Sequence, residues 1–318
     1  MSSATPAAAA HPALAAVLQV VRGFVMGAAD VVPGVSGGTV ALVFGIYERL
    51  VDNIHRGATA LGRLLKGDLH GFGQALRSVE WLFLVPLLGG IGLAVLSLAH
   101  AIEVALEDHP IPMGALFFGL VAASAVVAFR LVRRWGAEQV VILVASGALA
   151  FAFLGISSGT RVDPPIWAFF LVGTVAICAM ILPGISGSFL LLMMGMYDVV
   201  LDAVNDRQIT LLAAFLVGCV VGLALFSSLL NWALEHHHDR VMAGLVGLML
   251  GSLRVLWPWP EGTEDATLAA PGEQSGRALL IAVGAAALVL VVSAVALKVE
   301  DVIEAEAENE NEPAGGER

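Results

Sequence analysis

Two short stretches concentrate the polar chemistry of this chain. The first runs Pro33, Gly34, Val35, Ser36, Gly37, Gly38, Thr39 just after Asp30, and the second runs Pro183, Gly184, Ile185, Ser186, Gly187, Ser188. Neither has a histidine or a pair of carboxylates close by, so neither suits nucleophilic or metal-assisted catalysis. What they suit is holding an anion. Proline removes a backbone donor and disfavours helix at the residue before it, so a helix should stop near Val32 and again near Leu182. Gly34, Gly37 and Gly38, with Gly184 and Gly187, permit a tight turn and the close approach of a ligand or another backbone. Ser36 or Thr39, and Ser186 or Ser188, can then cap the helix that follows. Each stretch therefore presents a helix N-terminus with free N–H groups in apolar surroundings. Two such ends facing one another would suit a phosphate. The competing reading is that small residues merely let helices pack closely.

Three charged residues add to these stretches. Arg22 and Asp30 are eight positions apart, about two helical turns, and share a helix face. Charges deep in a membrane cost roughly 2.5–3.5 kcal/mol on insertion scales, so they pair or line a functional path. Asp30 therefore reads either as a partner for Arg22 or as the group that couples a proton or sodium ion to transport. Arg254, inside an apolar run, reads either as a phosphate ligand or as a side chain reaching for the interface.

The elements that position these residues are membrane helices. Hydrophobic residues make up 58% of the 318 and charged ones 14%, against about 25% charged in soluble domains, and the mean hydropathy is +0.87. Apolar runs at 81–105, 111–132, 140–156, 166–182, 211–234, 241–256 and 278–297 mostly approach the ~20 residues that cross a bilayer. Period-two alternation is absent, which argues against a β-barrel. The stretch from Pro33 aligns without gaps on that from Pro183, a shift of 183 − 33 = 150 with seven of sixteen positions identical. Further on, Gly92 onward resembles Gly222 onward, so the offset falls to about 130. The chain is a tandem duplication.

The expected fold is all-α, with two inverted-topology repeats, each holding a re-entrant broken helix and about three transmembrane helices. Residues 39–51 span about 20 Å as helix, too short to cross a core of about 30 Å, so they should go halfway and return. Each repeat then crosses an odd number of times, which inverts the second relative to the first. Charge agrees: Arg49, Arg56, Arg63, Lys66, Arg77 and then Arg130, Arg133, Arg134 mark cytoplasmic loops, whereas Glu103, Glu107, Asp108 and Asp198, Asp202, Asp206 mark outer ones. The expected division is a flexible N-terminus at 1–12, repeats at 13–160 and 161–299, and an acidic disordered tail at 300–318. The first residues lack the basic start and cleavage site of a removed signal peptide. Cys178 and Cys219 read as buried thiols, and His236 to His238 as a solvated loop between two spans rather than a metal site. No Walker loop, nucleophile elbow or basic nucleic-acid patch is present, so neither a cofactor nor a nucleic-acid partner is expected.

The segments around "GAADVVPGVSGGTVALVFGIYERLV", "LPGISGSFLLLMMGMYDVVL" and "GSLRVLWPWP" resemble a prokaryotic membrane family associated with polyprenyl-phosphate transport. The likeness spans about residues 18–297. It implies a multi-pass plasma-membrane translocase, not an enzyme, that returns undecaprenyl phosphate or a similar lipid from the outer to the inner leaflet. Matching the family's motifs carries over Asp30, Pro33, Gly34, Ser36, Gly37, Gly38, Thr39, Pro183, Gly184, Ser186, Gly187, Ser188 and Arg254, with Arg22 in support. Ser188 and Phe189 stand where the first copy has Gly38 and Thr39, so the two half-sites are expected to differ. The alternatives are a transporter or channel for a small soluble anion, a lipid-phosphate enzyme, or a scaffold.

Overall fold

A computed structural model describes residues 12–32, 34–156, 164–259, 268–272 and 274–311, with backbone alone for 12–15 and 296–311. Its elements are helices throughout. The first half holds α1 (Pro12–Asp30), α2 (Gly37–Val43), α3 (Tyr47–Leu65), α4 (Leu69–Ser78), α5 (Trp81–Asp108), α6 (Pro110–Leu131) and α7 (Ala137–Phe153). The second holds α8 (Ile166–Ile181), α9 (Gly187–Met193), α10 (Tyr197–Asn205), α11 (Ile209–Ser252) and α12 (Ser275–Asn311).

Among the described residues, four helices are long and apolar enough to cross a membrane (α5, α6, α11 and α12), or up to five spans if the bent α9–α10 pair counts as one. That pair turns by 105°. At 44 residues α11 would be about 66 Å long if straight, twice a bilayer core. It breaks at His237, where φ is −137° and ψ 37°. The histidine run is thus the corner between two apolar runs rather than the open loop its sequence suggests. His238 bonds Glu48 at 2.9 Å and Asp239 at 3.2 Å, and Asp239 accepts from the Arg133 and Arg134 N–H groups. The basic loops expected on one side of the membrane therefore meet at one end of the molecule.

Equivalent close contacts relate the halves. In the first, α1 and α5 approach so tightly that a Cβ on Gly23 would run into Leu87 O, and one on Gly90 into Val20 O. In the second, Gly173 faces Phe215 O and Gly218 faces Phe170 O in the same way. The shifts are 173 − 23 = 150 and 218 − 90 = 128. Packing therefore aligns Ala94 rather than Gly92 with Gly222, two residues from the sequence match. The reason is that a small residue has changed helix: Gly27 sits against Ala94, and Gly222 against Ile177.

The later helices are exchanged between halves. α6 packs on α12 and α7 on α11, with Gly119 against Ala282 O and Gly247 against Leu143 O. The last helices of the two halves thus cross over in space. At the far end, α12 continues as helix to Asn311, into the stretch assigned to the acidic tail. Glu and Ala are strong helix formers, which weighs against reading that stretch from net charge alone. Residues 1–11 and 312–318 lie outside the described residues.

Candidate functional site

The first motif is built into the protein. Gly34 turns the chain at φ +84° against Val255 and Leu256. Ser36 then caps α2: its Oγ accepts from Gly38 N at 3.1 Å and donates to Met180 O at 3.3 Å. The Asp30 carboxylate accepts from Gly37 N at 2.6 Å. Thr39 Oγ1 accepts from Gly184 N at 3.0 Å, and Tyr47 donates its hydroxyl to Ile181 O at 3.2 Å. Ser36 and Thr39 are 1% and 0% exposed, so these bonds supply the polar partners that burial demands. Three of them cross between the halves, two to the last residues of α8 and one, from Thr39, to the second motif itself.

The second motif has the same backbone and fewer ties. Gly184 turns at φ +85° against Met249 and Ser252. Ser186 sits in the capping position of α9, yet its side chain caps none of that helix's backbone N–H groups. Its Oγ lies 2.8 Å from Ser188 Oγ instead. The side chain over Gly187 is that of Met180, the counterpart of Asp30, with its Cγ 2.6 Å from where a Cβ would stand. A thioether is a weak acceptor and cannot replace a carboxylate there.

Two cavities meet beside these motifs. One of about 230 Å³ is lined by Ser186, Gly187 and Ser188, with Phe215 and Cys219 of α11. The other, of about 500 Å³, is almost wholly apolar and runs between α1, α3 and α5 on one side and α8 and α11 on the other. Its polar spots include Asp30, Tyr47 and Asn53, and at its rim stand Leu88 of α5 and Val220 of α11, both about half exposed. Asp30, Ile177 and Met180 line both cavities.

A third cavity, of about 600 Å³, is polar and lies between α3 and the corner of α11, with Arg49, Arg56, Arg133, Glu48, Asp52 and Glu235 among its lining residues. Its wall is fixed to the start of α5, where Glu80 accepts from Arg49 Nε at 2.8 Å and from Asn53 at 3.3 Å. Partial burial pushes the Glu80 carboxyl up, but these bonds and the charges of Arg49 and Arg56 outweigh it and hold the group below its ordinary value.

The residues singled out in the sequence thus divide into three sets. Gly34, Ser36, Gly37, Gly38 and Thr39 come together with Pro183, Gly184, Ser186, Gly187 and Ser188, and Asp30 lies beside both groups; Pro33 lies outside the described residues. Arg22 and Arg254 line neither the apolar cavity nor the one around Ser186. The Arg254 guanidinium stands 4.5 Å from the Phe151 ring centre, beside Gly155, where a Cβ would leave it no room. Sequence reasoning missed Met180, Ile177 and Tyr47. The repeat held the signal for Tyr47, an identity with Tyr197, and for Met180, the position facing Asp30 in the alignment.

A family model described as undecaprenyl phosphate translocase-like matches residues 26–296. A polyprenyl-phosphate transporter of Vibrio cholerae is 42% identical over 240 residues, 76% of this chain and 77% of that protein. One of Staphylococcus aureus is 28% identical over 258 residues, 76% of this chain and 86% of that protein. No solved structure matches the chain. With a model match over most of its length and a close relative of similar extent, this chain belongs to the undecaprenyl phosphate translocase-like family.

Proposed function

We propose that this protein translocates a polyprenyl phosphate across the bacterial plasma membrane, outer leaflet to inner, and that the phosphate is held at the second motif. The observation that carries this reading is the apolar cavity between α5 and α11, with half-exposed rim residues and polar groups of the motifs inside. A polyprenyl tail is as apolar as the bilayer and gains nothing by entering a closed path. A carrier of such a lipid must hold the headgroup while leaving the tail a sideways exit, and a groove between equivalent helices of two repeats does that. A small soluble anion needs the opposite, a polar route shut off from lipid.

Within this reading the two motifs have separate tasks. Ser186 and Ser188 offer hydroxyls to the phosphate from the smaller cavity, and the backbone of Gly187 approaches it closely. Ser36 and Thr39 hold the motifs together instead. On an inverted arrangement of the repeats, rearrangement of the halves opens this one pocket first to the outer leaflet and then to the inner. Inward movement of an anionic headgroup works against an inside-negative potential by about 2.3 kcal/mol per charge per 100 mV. Asp30, which lines both cavities, binds the proton or sodium ion that offsets this. Arg254 and Arg22 support the site from outside its walls.

The test is movement of a fluorescent short-chain polyprenyl phosphate between leaflets of liposomes holding the purified protein, with radiolabelled inorganic phosphate as the second cargo. Saturable lipid movement and no phosphate uptake is the expected result. Phosphate uptake without lipid movement would transfer the function to a soluble anion.

A further inference from the structure

We infer that Met180, backed by Ile177, is the gate between the apolar groove and the polar pocket. Asp30, Ile177 and Met180 line both cavities, so the partition between them is built from these side chains. Asp30 and Met180 are equivalent positions of the two repeats, 180 − 30 = 150 apart, and each covers the first glycine of the half-helix that follows, Gly37 or Gly187. There the likeness ends. Asp30 is pinned by the Gly37 N–H at 2.6 Å, whereas Met180 is 47% exposed and rests on Gly187 by contact alone.

Methionine is unbranched, turns about three side-chain bonds and makes no strong directional bond, so moving it costs little. One wall of the partition is therefore fixed and the other is free to swing. A headgroup passing from the groove to the hydroxyls of Ser186 and Ser188 displaces the Met180 thioether from Gly187. The backbone of Met180 stays in place meanwhile, because its carbonyl accepts from Ser36 Oγ. The gate is thus a side chain on a fixed frame. Ile177, branched at Cβ and stiff, supplies the remaining wall.

This gate rests on the lipid-phosphate reading for its cargo but on cavity geometry for its place, and the two can be tested apart. Cys219 lines the polar pocket and not the groove. In full-length Cys178→Ser protein in liposomes, a long-chain alkyl maleimide enters from the lipid side and its reaction with Cys219 reports passage. Met180→Ala should raise the labelling rate several-fold and Met180→Trp should lower it several-fold. The same variants should speed and slow translocation of the short-chain polyprenyl phosphate. Equal labelling in all three proteins overturns the gate, whatever the transport result. Labelling that follows side-chain size, with no lipid movement in the unsubstituted protein, keeps the gate and removes the cargo.

Discussion

The two motifs share a backbone and differ in what their side chains are tied to. Both turn at a glycine with φ near +85°, and both start a seven-residue helix. In the first, a carboxylate and a serine bond the helix start, Thr39 bonds across to the other motif, and Tyr47 is 2% exposed. In the second, those positions are Met180, a Ser186 that bonds only the Ser188 hydroxyl, and Phe189, and Tyr197 is 37% exposed. Duplication supplied two equal scaffolds. Substitution made one an anchor and left the other with a pocket, and a carrier needs both, since a site that moves its ligand must have something fixed to move against.

Breaking the anchor where backbone meets backbone should have the largest effect. Ala at Gly184 places a Cβ 2.7 Å from Met249 Cα, whereas at Gly34 it meets side-chain atoms, the nearest at 2.9 Å. Left-handed backbone costs about 1–2 kcal/mol without glycine and overpacking about 1–3, so Gly184→Ala should lose about 3 kcal/mol. Gly34→Ala should lose less because Val255 can shift, and thermal unfolding in detergent measures the order. Thr39→Val comes next. It leaves the buried Gly184 N–H without its acceptor, at about 1–3 kcal/mol, while Phe189→Leu at the equivalent position removes no bond and should cost less.

Asp30→Asn keeps an acceptor for Gly37 but loses the charge; the weaker bond and the relieved cost of burying a charge oppose one another, so stability should change by less than about 1 kcal/mol. Translocation should also lose its response to an imposed proton or sodium gradient, which flux with and without ionophore reports. The smallest effect concerns Glu80, whose counterpart at 80 + 128 is Gln208. Its carboxyl is held below the ordinary value, so its contribution is full above the unfolded-state pKa and is lost as pH falls through the lower, folded one. Glu80→Gln should flatten that acid decline by no more than about 0.5 kcal/mol, since the group is largely solvated. Unfolding temperature against pH, compared for the two proteins, is the check.

The helices were legible because each is an apolar run bounded by Gly, Pro or charge, and the repeat was legible because Pro, Gly, Ser and Tyr recur at one shift. The division of labour was not. Ser36 and Ser186 are the same residue in the same local frame, and their partners tell them apart: the Gly38 N–H and the distant Met180 carbonyl for one, the Ser188 hydroxyl for the other. Met180 read as an ordinary apolar residue because nothing in one dimension shows that two cavities share it. The exchange of α7 and α12 between halves was likewise invisible, since period and composition report that a helix is apolar and not which helix it meets. Arg254 attracted attention as a charge inside an apolar run, and its aromatic partner Phe151 lies more than a hundred residues away.

The separation of anchor from pocket is tested most directly by one pair of variants, Ser36→Ala and Ser186→Ala, each measured for unfolding temperature and for translocation of a short-chain polyprenyl phosphate per folded molecule. Ser36→Ala loses a buried cap and should drop in stability by about 0.5–2 kcal/mol while each folded molecule keeps most of its transport. Ser186→Ala should unfold where the unsubstituted protein does and move the lipid at least tenfold more slowly. A Ser186→Ala protein that transports at the full rate, or one that loses stability as Ser36→Ala does, would contradict the account.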